Sequence, residues 1–243
     1  MQPVYYDLHV HSALSPCAES DMSPNDIVGM ALLNNLDLIA ITDHNSLSNT
    51  LSVINAAKAA REEHGKELIV LPGVEVSTVE EVHVLCLFDN INTALSFEDE
   101  LVPYFSALSN RIDIFGSQIL YDENDCVTGE MNRMLIAPTS ISFDELYLLT
   151  HKYNGAFIPA HIDRASFSVI SNLGFIPPHL DINTIEVSPH GVENGFLEKN
   201  EDARMRKNIL ISSDAHQLWA ISERENFLLL PELTAKAAID FLR

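Results

Sequence analysis

Short apolar runs of β character alternate along this chain with longer stretches of helical pattern, and this alternation restricts the fold more than any other feature. "VYYDLHVH", "LDLIAIT", "ELIVLPGVEVS", "EVHVLCLF", "AFIPAH", "TIEVS" and "ILISSDAH" each read as a strand. The helices between them carry explicit punctuation. Ser23 caps a helix with Pro24 at its first position, and residues 51–64 run helically up to Gly65. Ser142 and Glu145 have capping-box spacing ahead of "FDELYLLTHKYN". Residues 97–120 read as helical, 121–141 as a polar loop or lid, and "NFLLL" as a last strand before a C-terminal helix. Such alternation predicts a parallel α/β sheet, and seven or eight strand–helix units argue for closure into a barrel.

With 243 residues and 47% hydrophobic content, the chain suits one large domain better than two small ones. Its net charge of −21 repels phosphate backbones, so long nucleic acid is not expected as a partner. Three cysteines, Cys17, Cys86 and Cys126, form an odd, sparse set that fits a reducing compartment. The opening "MQPVYYDLHV" lacks leader character, and no apolar run reaches the ~18 residues of a membrane span. The expectation is a soluble cytoplasmic protein.

Polar residues gather where the predicted strands end. His9 and His11 follow the first strand, Asp43 and His44 follow "LIAIT", and Glu75 lies in "PGVEVS". His83 lies in "EVHVL", His161 ends "AFIPAH", and Asp214 and His216 end "ILISSDAH". In a parallel barrel these ends share one face, where sites are built. Residues i and i+2 of a strand point the same way, so His9 and His11 can hold one ion, and Asp214 and His216 repeat the device. Imidazole with carboxylate suits Zn, Fe or Mn.

The ordered motifs "DLHVHS", "ITDHNS", "GVE", "PAH" and "SSDAH" resemble those of the PHP (polymerase and histidinol phosphatase) domains. The resemblance spans nearly the whole chain. It implies a single domain over residues 1–243, a distorted (βα)7 TIM-like barrel with a lid or insert around 90–141. It further implies a three-metal cluster of divalent ions and phosphoester hydrolysis. Carried over by position, His9, His11, Glu75 and Asp214 bind the first metal, and Glu75 bridges to a second held by His83 and His161. His44 and His216 bind the third with one residue from the first loop. Counting six residues on from His11 gives Cys17 for that place, where the family has His or Asp. A thiolate there favours Zn or Fe over Mn. Glu19 and Asp21 compete for the same role.

Each residue also has a plainer reading. His83 can be a core histidine satisfied within its strand. Asp43 is expected among the catalytic group as a carboxylate that orients a histidine, not as a ligand. Arg164 is the expected substrate-binding cation, since a guanidinium fork matches phosphate oxygens; the alternative is an ion pair with Asp163. Glu186 and His190 can line the mouth of the barrel. His64, His151 and His179 read as surface or helix-end residues, Cys86 as core packing and Cys126 as incidental.

The chemistry expected from this set is hydrolysis of a small phosphorylated metabolite or (oligo)nucleotide, with water activated by two to three metals. Glu75, His161 and Asp214 are expected at the reacting centre. The alternative is a metal-dependent structural or regulatory module without turnover, which an incomplete ligand set would favour.

Overall fold

In the computed structural model, which describes residues 1–243, the punctuation of the sequence is visible at atomic level. Ser23 accepts from the Asp26 amide and Pro24 opens helix α1 (Pro24–Leu33). Helix α2 (Thr50–His64) stops at Gly65, whose φ of 69° is the left-handed conformation that ends helices. Ser142 and Glu145 form both halves of a capping box at the start of the helix Phe143–Lys152.

Strands β1 (Gln2–Val10), β2 (Leu38–Ile41) and β3 (Ile69–Ser77) are parallel neighbours. Strand β4 (His83–Leu87) turns back antiparallel to β3. A separate hairpin joins β5 (Ile119–Tyr121) to β6 (Val127–Glu130). Strand β7 (Ala156–Pro159) pairs antiparallel with β4 and so runs with β1–β3 again. β8 (Thr184–Glu186) and β9 (Asn208–Leu210) form a parallel pair, and β10 (Phe227–Leu230) lies antiparallel on β1. The main sheet thus has the order β10-β1-β2-β3-β4-β7. It is a curled, half-barrel α/β sheet of the TIM-like type. Ile162 N donates to Glu186 O at 2.9 Å and His11 N to Ala215 O at 2.9 Å, which sets β8, β9 and the stretch after β9 beside β7 and the end of β1.

Strand β2 shows why the runs are continuously apolar. Leu38 and Ala40 join an inner cluster with Tyr6, Leu8, Leu71 and Ile158, while Ile39 and Ile41 pack outward with Ile27 and Val53 of α1 and α2. A strand covered on both faces has no position left for a polar side chain.

Three expectations are corrected. The sheet is mixed, because the short connection between β3 and β4 is long enough for an antiparallel return and not for a helical crossover. Residues 97–120 are not one helix. Asn90 caps helix α3 (Ile91–Leu101), and Pro103 then tightens the chain into a short 3₁₀ turn. Residues 121–141 are not a plain loop either, since β6 falls within them. Its turn is made by Asp122, which accepts from the Asn124 and Cys126 amides.

The segment carrying this hairpin is tied down beside the ends of β1 and β2. Ile119 N donates to Ala13 O at 2.8 Å, and Asn45 Nδ2 donates to Leu135 O at 2.7 Å. Gly116, at φ 96°, lies so near Pro16 that an added Cβ would come 2.5 Å from the Pro16 carbonyl oxygen. No helix is long and apolar enough to cross a membrane.

Candidate metal centre

β1 shifts register between Asp7 and Val10, as strands do beside functional sites. Val10 packs toward the helices with Ile39 and Ile41, leaving His9 and His11 to face the other way. Both histidines are fully buried. His83 is the first residue of β4. Because β4 runs backwards, that position lies at the same rim as the ends of β1–β3 and β7.

Glu75 is the hub. Five imidazoles approach its carboxylate: His83 Nδ1 and His44 Nδ1 at 2.9 Å, His161 Nε2 at 3.2 Å, His9 Nε2 at 3.4 Å and His11 Nε2 at 3.5 Å. Asp214 Oδ1 lies 3.2 Å from His9 Nε2 and 3.1 Å from His11 Nε2. His216 Nε2 lies 3.1 Å from the Cys17 sulfur. Glu19 instead accepts from Gln217 at 2.6 Å. His161 and Asp214 adopt left-handed φ values of 31° and 54°, each costing about 1–3 kcal/mol that the surrounding structure must hold.

The far nitrogens of the rings are also occupied. His9 Nδ1 donates to Glu186 at 2.9 Å, His11 Nδ1 to Ser15 Oγ at 3.0 Å and His216 Nδ1 to the Asp214 carbonyl at 2.8 Å. Those bonds occupy each Nδ1 and leave each Nε2 facing the centre. Asp43 accepts from Ser12 N, Ser12 Oγ and Ser15 Oγ, so it reaches His11 only through Ser15. Arg164 does not pair with Asp163. It donates to Asp214 Oδ2 at 2.6 Å, while Asp163 accepts from the amide and hydroxyl of Ser188.

Electrostatics match this geometry. Burial pushes Glu75 and Asp214 upward, yet His83, His9 and His44 around the first and His9 and His11 around the second hold both carboxyls well below the usual range. Against its burial, His9 rises well above an ordinary imidazole because Glu186, Asp214 and Glu75 surround it, and His44 rises to about 10 beside Glu75. Burial and the neighbouring His216 drive His11 down. Burial raises the Cys17 thiol, but hydrogen bonds with His216 and His44 bring it down to about 7. Buried carboxylates demand cations, and the imidazoles supply lone pairs; divalent ions satisfy both.

Three sets of ligand atoms lie within 4.8 Å of one another: His9, His11 and Asp214; His44, Glu75 and His83; and His11, His44 and His216. Glu75 Oε2 and His161 Nδ1 are buried without a hydrogen-bond partner. His44 Nδ1 lies 2.9 Å from that Oε2. The residues therefore fit a multinuclear metal group.

Two contributors do more than the sequence pattern assigns them: Glu186 reads there as a residue that can line the mouth, and Asp7 has no role at all. Glu186 is buried and also accepts from the His161 amide at 3.0 Å. Its signal is a carboxylate flanked by Ile185 and Val187. Asp7 is buried and accepts from Ser213 N, Ser213 Oγ and Ser222 N, pinning the segment that carries Asp214 and His216.

A model of the PHP domain matches residues 7–173. The chain belongs to the PHP domain family. Asp214 and His216 of this PHP chain lie beyond the matched residues. The 5′-3′ exoribonuclease Rnm of Salmonella typhimurium is 36% identical over 94 residues, which cover 37% of this chain and 29% of that protein. This chain therefore aligns with under a third of that relative's length. The lesion-specific endonuclease PfuEndoQ from Pyrococcus furiosus shares the fold with a TM-score of 0.69 at 16% identity, over 99% of this chain and 56% of that one. Endonuclease Q with a 27-mer duplex carrying an abasic lesion at its active site matches with a TM-score of 0.60 at 17% identity, over 89% and 50%. These names weaken the expectation that a PHP chain this acidic has no dealings with long nucleic acid.

Proposed function

We propose that this chain hydrolyses phosphoesters at a cluster of two to three divalent metals, acting on nucleotides or on the ends of nucleic-acid strands. PHP membership makes it a metal-dependent hydrolase. The observation that carries the reaction class is the Glu75 hub, where five imidazoles surround one buried carboxylate beside the Arg164–Asp214 pair.

His9, His11, Glu75 and Asp214 would hold one ion, and Glu75, His83 and His161 a second. His216, Cys17 and His44 would hold a third, and a thiolate there suits Zn or Fe better than Mn. Such ions lower the pKa of water into the neutral range and offset phosphate charge. Arg164, half-exposed, presents its guanidinium to the non-bridging oxygens of a phosphate. Glu186 keeps the proton of His9 on Nδ1. The insert over residues 90–141 borders the mouth and limits what enters. The half-barrel sheet with β8 and β9 is read as the distorted (βα)7 barrel.

A −21 chain is poorly suited to tracking a long phosphate backbone by itself. A strand end needs to bring only its terminal nucleotide to the cluster, which reconciles the charge with nuclease relatives.

The test is metal analysis after purification without chelator, with a panel of mononucleotides, sugar phosphates and 5′-phosphorylated oligonucleotides. Two to three transition metals per chain and hydrolysis of base-bearing substrates are expected. His161→Ala should stay folded and lose most turnover. A metal-free protein, or a metal-loaded one inert across the panel, overturns the reading.

A further inference from the structure

The loop after β7, "HIDRASFS", carries more than His161 and Arg164. The Phe167 ring stacks on that of His83, with centroids 4.7 Å apart and planes inclined by 19°. A single exposed aromatic residue would be unremarkable. Phe167, though, is 45% exposed and has a φ of 57°. Of the eight non-glycine residues with positive φ it is the only one with an apolar side chain. A bulky side chain in that conformation is a true outlier, and such strain collects at ligand-binding sites.

The conformation is held from both sides. His83 N donates to the Phe167 carbonyl at 2.9 Å, and Ser168 Oγ donates to the Arg164 carbonyl at 2.8 Å. Ser168 in turn caps the helix Val169–Leu173. The loop therefore sets a guanidinium against Asp214 and an aromatic plane against His83, both residues of one cluster. The inner face of the ring lies on His83, and the remaining surface meets solvent. A planar group attached to a phosphate held at the cluster would meet that ring.

We propose that Phe167 is a stacking platform for the nucleobase next to the scissile phosphate, and that it gives this enzyme its preference for base-bearing substrates. The inference rests on the reading that the cluster and Arg164 hold a phosphate. Base–aromatic stacking tolerates any base, because each has a π face. The platform thus selects nucleotides over sugar phosphates without selecting among sequences.

The test uses binding, so turnover does not enter it. The probes are the 5′-methylenephosphonates of adenosine and of ribose, in which CH2 replaces the ester oxygen and neither is cleaved. They are titrated calorimetrically into the metal-loaded protein, with metal content measured alongside. The wild type should bind the adenosine probe about tenfold more tightly, within the usual strength of one base stack. Phe167→Ala should erase that preference while leaving ribose binding and metal content unchanged, and Phe167→Trp should keep it. Equal binding of both probes by the wild type overturns the inference. So does a Phe167→Ala variant that keeps the preference, or one that weakens both probes alike while losing metal, which would make the ring mere packing for His83. Failure of the wild type to bind either probe overturns the phosphate reading itself. Preference without hydrolysis across the substrate panel defeats the proposed activity and leaves the platform standing.

Discussion

Glu186 lies 2.9 Å from His9 Nδ1, and the same carboxylate accepts from the amide of His161. One buried side chain on β8 therefore orients a histidine of β1 and fixes the backbone of another at the end of β7. Neither bond involves the atom that faces the centre, so Glu186 acts by aiming the ligands.

Glu186→Gln should lower metal affinity about 10–100-fold, the usual effect of removing a carboxylate behind a ligating histidine. Chelator competition measures it, and circular dichroism should stay native. Unchanged affinity would limit Glu186 to backbone support at His161.

Asp7→Ala removes the acceptor of four donors, His9 N, Ser213 N, Ser213 Oγ and Ser222 N. Each donor left unpaired away from water costs about 1–3 kcal/mol, and the half-buried serine donors fall at the low end of that range. The variant should unfold at clearly lower urea concentration. Ser213→Ala, which removes only the hydroxyl donor, should lose about 1 kcal/mol. Equal midpoints for wild type and Asp7→Ala would show that water replaces the carboxylate at no cost.

Cys17→Ser should lower metal occupancy by up to one ion per chain and shift preference toward harder ions such as Mn. In a Cys126→Ser background, where the only other cysteine, Cys86, is buried, Cys17 should resist alkylation until metal is stripped. Rapid alkylation of the fully loaded protein would remove the sulfur from the centre.

Much of this was legible because two local rules act without help from the rest of the chain. Period-two geometry pairs His9 with His11, and capping chemistry marks Ser23, Gly65 and Ser142. Strand direction has no such local signal. The apolar run at β4 looks the same read either way, so only its pairing with β3 and β7 reveals that His83 begins the strand. Residues 102–120 contain enough apolar side chains to imitate a helix, yet Pro103 and the tie to Ala13 decide otherwise. Glu186 escaped emphasis because β8 is three residues long and offers no period against which a carboxylate stands out. Arg164 has an acid beside it in sequence, Asp163, yet Asp214, distant in sequence, takes its guanidinium.

The bond between His11 and Asp214 spans 203 residues of chain. Closing so long a loop is among the slower steps available to a folding domain, because its entropy must be overcome before the contact gives anything back. His11 is synthesised 203 residues before Asp214 and waits, with that partner still unmade, until the intervening chain has followed. On the proposed ligand assignment, metal uptake at that site waits for Asp214, and a product cut short before it would also lack β10, the strand that pairs with β1.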